Sequence, residues 1–458
     1  METNVNLKTW GFSRTGEVIP VNINVTLIRR LPSIVVVGLA ESSARETAER
    51  VRSACLASGF ELPRQRIVIT VKAGPPFTEL AAVREHLDLP IALAILVAAG
   101  HLTMREGNRI YPVGMLALDG TVRPTRGMVA LAAAMRIPDE IALPGEAAVY
   151  AAPYTWARNV PLANSLQNVV AILGGEVSAW TSVSNYNMGM HTPSMPLDMQ
   201  DIFGNTNLMG KLAACAATCR PVVLRGPPGC GKTMLAARLA ALRGGLTTDE
   251  EATLACIYDM AGLPLHGRPM RPFRAPHHSI SVAGLCSAPI GALASNPLRP
   301  SESELAAFGV LFTDECVEFP RINIETLASV ISMMGVARRP WWVAACNPGP
   351  GRGGARLEGP LDGVQEAYDK RIDRVMASMK LATGQEPLLI DLEPVSRATL
   401  QDPAARWPST ASMRLLVAMC KENAELCGRL LHGEPEDKSD EAFIRRMVDR
   451  TPPVWKIE

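Results

Sequence analysis

Hydrophobic and polar positions divide the chain into stretches of different period. Ser33–Val37 is a short apolar run between Pro32 and Gly38, the pattern of a buried strand. After it, Ala44, Ala48, Val51 and Cys55 recur at helical spacing through Ala40–Ser58, with Gly59 where a helix C-cap falls. Arg66–Val71 reads as a second strand. Leu89–Ala99 is the longest apolar run; it contains Pro90, ends at Gly100 and falls short of the ~20 residues that span a bilayer, so it reads as a core helix. Val113–Leu118 and Thr121–Arg123 flank Asp119-Gly120, a pair that favours the φ > 0 turn of a hairpin. A helix over Met128–Met135, a strand over Glu140–Leu143 and a helix over Leu162–Leu173 complete one α/β unit, residues 1–175.

From 176 to 199 the period is lost among Ser, Asn, Met, Thr and Pro, as in a linker. A second α/β pattern occupies 200–379. Helical patterns over Thr410–Leu426 and Asp440–Val448 make 380–458 a small helical lid. The expected fold class is therefore α/β: an amino-terminal α/β domain, a second α/β domain and a lid, without internal repeats.

Composition alters this picture little. The chain is 47% apolar and 20% charged, ordinary for a soluble globular protein, and its 458 residues suit two or three domains of roughly 100–200 residues. A net charge of +1 supplies no global basic footprint for nucleic acid, so any contact with DNA would be local. The ten cysteines form no C-x-x-C pair and no zinc-ligand spacing. Met1-Glu-Thr-Asn-Val5 is not a basic segment leading into an apolar one. Together these predict a cytoplasmic protein with reduced thiols, no membrane partner and no zinc.

Three stretches carry chemistry. An apolar strand over Pro221–Leu224 runs into Gly226-Pro227-Pro228-Gly229-Cys230-Gly231-Lys232-Thr233, and Met234–Leu242 follows at helical spacing. In this context the glycines let backbone N–H groups turn around a phosphate, Lys232 reaches the β- and γ-phosphates, and the Thr233 hydroxyl ligates magnesium. The apolar run Gly309–Thr313 ends in Asp314-Glu315, carboxylates suited to the magnesium shell and to activating the attacking water. Trp341–Cys346 ends in Asn347, an amide placed to orient that water or touch the γ-phosphate. Asp369–Arg374 offers a cation for a neighbouring subunit's site, and a solvated helix end fits it equally. Arg338-Arg339 beside Trp341-Trp342 offers charge and stacking for nucleic acid, although an exposed pair leading into a core strand is the plainer reading.

The chain resembles the magnesium-chelatase-like group of AAA+ ATPases, in particular the ComM/YifB proteins. Val223–Ala236, Leu246–Ala252, Ala261–Leu263, Arg271-Pro-Phe-Arg-Ala-Pro-His-His-Ser279, Gly309–Phe319 and Ala344–Pro348 carry the resemblance in the second domain. Gly38-Leu39, Glu46–Phe60, His86–Leu96 and Leu116–Pro124 carry it in the first, whose counterpart has the ribosomal-protein-S5-like fold shared with the Lon protease domain. The resemblance implies a hexameric ring that uses ATP and magnesium and remodels DNA by branch migration. It implies a B motif at Asp314 and Glu315, a first sensor at Asn347, a candidate arginine finger at Arg371 and a candidate second sensor at Arg414, for which an exposed helix arginine is the plainer reading.

Some features depart from that family. Asn347-Pro-Gly-Pro-Gly351 lacks the usual cysteines. Glu325–Trp341 is short for the β-hairpin that normally precedes the first sensor, and extra residues blur the register of the finger. No Gly-Ser precedes His86-Leu-Asp88, which argues against a serine–lysine peptidase. The alternatives to a DNA-stimulated motor are a nucleotide-gated ring with little hydrolysis and, less well matched, a chelatase-type subunit.

Overall fold

The computed structural model describes residues 3–13, 18–75, 85–105, 107–135, 139–155, 159–175, 180–182, 197–263, 269–286, 300–349 and 362–432. Two compact units emerge: Met1–His191 with Glu251–Pro269 and Ile290–Pro300, and Thr192–Glu250 with Met270–Pro289 and Ser301–Glu458. The expected helix Asp440–Val448 and most of the 176–199 stretch lie outside the described residues.

In the first unit, strands Thr3–Phe12, Val18–Ile28 and Arg66–Ala73 pair antiparallel in that order, and Ser33–Val37 joins parallel to the last. The periodicity reading found only the last two of these four. Yet Ile19, Val21, Ile23, Val25 and Leu27 alternate with partly exposed neighbours and are all buried, the period of a half-buried strand. Their face meets helices Glu41–Ala57 and Asp88–Ala98 in one core. The second helix has no polar stripe and is buried from Asp88 to Leu96. Its one charge is satisfied, because Asp88 accepts from Thr47 Oγ1 at 2.8 Å and Arg50 Nη1 at 2.7 Å.

A second cluster in this unit gathers helices Met128–Ala134 and Gly145–Ala151 with Phe12, Val160 and Ala255. Gly127 cannot cap the helix that follows it. Asp259 does so from elsewhere in the chain, accepting from Val129 N at 2.8 Å and from the backbone of Gly127 and Met128. Burial pushes its carboxyl up to about 6, against the pull of those three N–H groups. The helix expected over Leu162–Leu173 begins later, at Leu166, because Asn159–Pro161 forms a strand and Ser165 caps the helix by accepting from Asn168 N at 3.1 Å. Met115–Leu116 and Val122–Arg123 pair antiparallel around the Asp119-Gly120 turn, with Gly120 at φ +82°.

The second unit is built on a five-stranded sheet in the order Phe273–Arg274, Val310–Thr313, Trp341–Cys346, Val222–Arg225, Leu388–Asp391, parallel throughout. Its strands are apolar on both faces, as a sheet covered on both sides requires. Val222, Leu224, Phe312, Trp341 and Val343 pack with helices Met209–Thr218, Lys232–Leu242 and Thr410–Glu422. On the opposite face Val223, Leu311, Trp342 and Ala344 pack with Arg321–Met333 and Asp362–Thr383. The tryptophans are wholly buried, Trp341 Nε1 donating to Arg220 O at 2.7 Å and Trp342 Nε1 to Thr313 Oγ1 at 3.2 Å, so neither is offered to nucleic acid for stacking.

Between Arg321 and Trp341 the chain forms a helix to Met333 and a short 3₁₀ turn over Val336–Arg338, with no strand. The helical pattern after Thr410 breaks at Asn423, whose Oδ1 accepts from Leu426 N at 3.0 Å and starts a separate helix, Ala424–His432. Among the described residues no helix is long and apolar enough to cross a membrane.

Candidate functional site

Because the five strands are parallel, their carboxyl ends share one edge, where ligands of open α/β sheets bind. The first strand of this unit in chain order, Val222–Arg225, lies between the fourth and fifth, Trp341–Cys346 and Leu388–Asp391. The loop Gly226–Gly231 leaves its end. Gly229 and Gly231 stand at φ +79° and +93°, conformations that side chains resist. Helix Lys232–Leu242 starts at Gly231 with no side chain capping it, so its leading N–H groups are available to an anion. Pro227 and Pro228 lie within this loop, and Cys230 is buried beneath it.

Four of the residues singled out from the sequence meet at this edge. Lys232 Nζ donates to Gly226 O at 2.6 Å, to Pro227 O at 3.0 Å and to Asn347 Oδ1 at 3.1 Å, which engages all three of its protons. Thr233 Oγ1 donates to Asp314 Oδ2 at 2.8 Å. The loop after one strand is thus tied to the ends of two others. A hydroxyl beside a carboxylate is a hard-oxygen donor set that fits magnesium, and a glycine loop with open N–H groups and a lysine fits a phosphate chain. Asp314 also accepts from Glu315 N at 3.0 Å. Glu315 itself adopts a left-handed backbone, φ +49° and ψ +48°, unusual for a residue with a side chain.

The supporting residues were not legible as such. Tyr368 Oη donates to Asn347 O at 2.9 Å and so fixes the backbone of the amide. Cys316, after Glu315, and Cys346, before Asn347, are both buried and hydrogen-bonded to each other. That bond, with burial, pushes the Cys316 thiol well above the usual thiol range. His278 Nδ1 approaches Glu315 Oε2 at 3.5 Å, an imidazole that the sequence presented as one of two adjacent loop histidines.

Two predicted residues are placed away from this cluster. Arg414 Nε donates to Ala241 O at 2.6 Å, at the end of the helix opposite Lys232. At about 1.5 Å of rise per residue that is over 10 Å from the phosphate loop, so Arg414 stands apart from the loop in this arrangement. Arg371 is exposed on Asp362–Thr383 and belongs to none of the contacts above. Arg339 donates to Met334 O at 3.0 Å and Ser332 O at 2.6 Å, closing the carboxyl end of Arg321–Met333.

Fold and site define an α/β protein of the AAA+ type. Comparison with known proteins agrees: the family "Magnesium chelatase, subunit ChlI" matches residues 198–337, and "Subunit ChlI of Mg-chelatase" matches 23–144. The YifB protein of Salmonella typhimurium is 33% identical over 315 residues, covering 68% of this chain and 60% of that protein. The competence protein ComM of Haemophilus influenzae is 34% identical over 312 residues, 67% of this chain and 59% of that one. The YifB protein of Escherichia coli is 31% identical over 329 residues, 68% and 60%. The chain belongs to the magnesium-chelatase-like family that includes the ComM and YifB proteins. The matches span about three fifths of the length of these relatives.

Proposed function

We propose that this chain is a magnesium-dependent ATPase that works as a ring of copies, hexameric as the resemblance implies, and acts on DNA. The observation that carries the reading is the joining of three strand ends through Lys232–Asn347 and Thr233–Asp314. The loop Gly226–Gly231 holds the phosphates by its N–H groups, and Lys232 trades its carbonyl partners for the β- and γ-oxygens. Thr233 and Asp314 would hold the magnesium, which would supply positive charge to the leaving group. Glu315 accepts a proton from the attacking water, and Asn347 orients that water against the γ-phosphate. Arg371, exposed and unengaged by this cluster, serves the site of the neighbouring copy. In this reading the first unit is Lon-like but not a peptidase, and the helices 397–432 belong to a lid that spans 380–458.

DNA as partner follows from the resemblance and from the competence function that the name of the Haemophilus relative states. One observation favours a second reading, a nucleotide-gated ring with little turnover: the helix and 3₁₀ turn between Arg321 and Trp341 contain no hairpin to grip a strand. Steady-state ATP hydrolysis with and without single-stranded and forked DNA separates the two, with Lys232→Ala as control. A motor shows a DNA-raised rate that Lys232→Ala abolishes. If ATP binds and turnover stays at the level of that variant in every condition, the switch is the correct reading.

A further inference from the structure

Asn347 stands just past the end of strand Trp341–Cys346, where the sheet stops holding the chain. Gly226 N still donates to Cys346 O at 3.2 Å, but two residues on, Pro348 has no N–H to give. Among the described residues the one side chain on Asn347 Oδ1 is Lys232, at 3.1 Å. Lys232 is also the group that turns to the phosphates in the proposed reaction. An amide that must keep its direction while its lysine turns away needs a hold on its backbone.

Helix Asp362–Thr383 supplies that hold. Its Ile372, Val375, Met379 and Ala382 recur at helical spacing and are buried against the sheet. Tyr368 lies one turn before Ile372 on the same stripe, which carries its half-buried ring to the strand end. Its Oη donates to Asn347 O at 2.9 Å, and among the described residues no other group donates to that carbonyl. A carbonyl only accepts, so the phenol hydrogen is committed to it. Burial pushes the phenol up, and it stays a donor at neutral pH. The turn beyond lies flush on the same helix. Gly349 stands at φ +90°, and a Cβ there would come within 2.7 Å of the Gln365 amide and 3.0 Å of Tyr368 Cδ1. Gln365 Nε2 donates to Pro348 O at 3.4 Å.

Resting on the roles proposed above for Lys232 and Asn347, we infer that Tyr368 is a positioning residue: its hydroxyl fixes the Asn347 carbonyl, and through it the direction of the side-chain amide that orients the attacking water. Tyr368 acts through Asn347 alone. Its loss therefore lowers kcat and leaves KM and ATP affinity unchanged.

Tyr368→Phe removes the hydroxyl and keeps the ring. Positioning predicts that kcat falls about tenfold, within the roughly hundredfold that a misplacement of about 1 Å can cost, while ATP binding, measured by titration, is the same. A cycle with Asn347→Ala separates this role from packing. Once the amide is gone there is nothing left to direct, so Tyr368→Phe added to Asn347→Ala costs no further rate. The inference is overturned if Tyr368→Phe turns over like the wild type, if it weakens ATP binding as much as it lowers kcat, or if its loss of rate persists in the Asn347→Ala background. An Asn347→Ala rate equal to that of the wild type removes the role of the amide, and this inference with it. A wild-type rate no higher than that of Lys232→Ala overturns the hydrolysis reading itself and everything that rests on it.

Discussion

At Gly226, two groups already occupy the place a side chain would take. A Cβ there would lie 2.7 Å from Cys230 Sγ and 2.8 Å from Leu392 O, and the second of these is backbone that cannot turn away. Leu392 N in turn donates to Arg225 O at 2.7 Å, so the oxygen is fixed by the sheet edge. Gly226→Ala must therefore move the phosphate loop. We expect at least a tenfold loss of ATP affinity, about 1.4 kcal/mol, read by titration. Gly245→Ala is the control, since among the described residues nothing lies within 4 Å of a Cβ at that position. Equal affinity for the two variants would mean that the loop yields freely and that the tight approach has no bearing on phosphate binding. The residues of this loop were legible because each has one chemical reason to be where it is. His278 was not, because its partner Glu315 is far off in sequence and only the fold supplies the second half of the pair.

Elements were legible where a single period ran uninterrupted. Ser33–Val37, Glu41–Ala57, Asp88–Ala98, Val310–Thr313 and Trp341–Cys346 all stand within a residue or two of where their apolar pattern puts them. The hairpin strands Thr3–Phe12 and Val18–Ile28 were missed although Ile19 to Leu27 alternate cleanly, since Pro20 stands at the head of that run. Long-range satisfaction of polar groups was the part that pattern does not carry. Asp198 and Met199 fall in the stretch that composition marks as linker, yet they are bound into the second unit. Asp198 Oδ1 accepts from Thr410 N at 3.0 Å and Thr410 Oγ1 at 3.2 Å, while its own O accepts from Arg238 Nε at 2.8 Å. Met199 is buried and donates to Thr410 Oγ1 at 3.0 Å. The segment thereby joins the phosphate-loop helix to helix Thr410–Glu422. Asp198→Ala strips partners from the buried Thr410 and should destabilise the fold by about 1–3 kcal/mol, seen as a lower urea midpoint at unchanged slope. An unchanged midpoint would show that water or Ser409, which already caps that helix, replaces the carboxylate.

For the molecule as a whole, the response to acid is set in part by two buried groups of the first unit that titrate in opposite senses. His86 is 1% exposed, with neither ring nitrogen hydrogen-bonded among the described residues, and lies edge-on to Phe12 at 5.4 Å. Burial lowers its pKa to about 4, below the ~6.5 of an unfolded histidine. The fold thus favours the neutral ring, and stability present above pH 6.5 is lost as pH falls toward 4, by roughly 3 kcal/mol. Asp259 runs the other way. Its folded pKa of about 6 exceeds the ~3.9 of the unfolded chain, so its contribution is full below that unfolded value and is lost as pH rises through 6, again by roughly 3 kcal/mol. Between pH 4 and 6.5 the two largely cancel, and single substitutions should expose each. Relative to wild type, Asp259→Asn should lose about 2 kcal/mol more at pH 4.5 than at pH 7.5. His86→Leu, which puts an apolar side chain in an apolar site, should gain about 2–3 kcal/mol over the same interval. Urea unfolding at the two pH values measures both differences. If each variant keeps a constant offset from wild type, neither group titrates across folding. If only Asp259→Asn shifts, the imidazole finds a partner for its proton when acid, and the neutral buried ring is not what the fold demands.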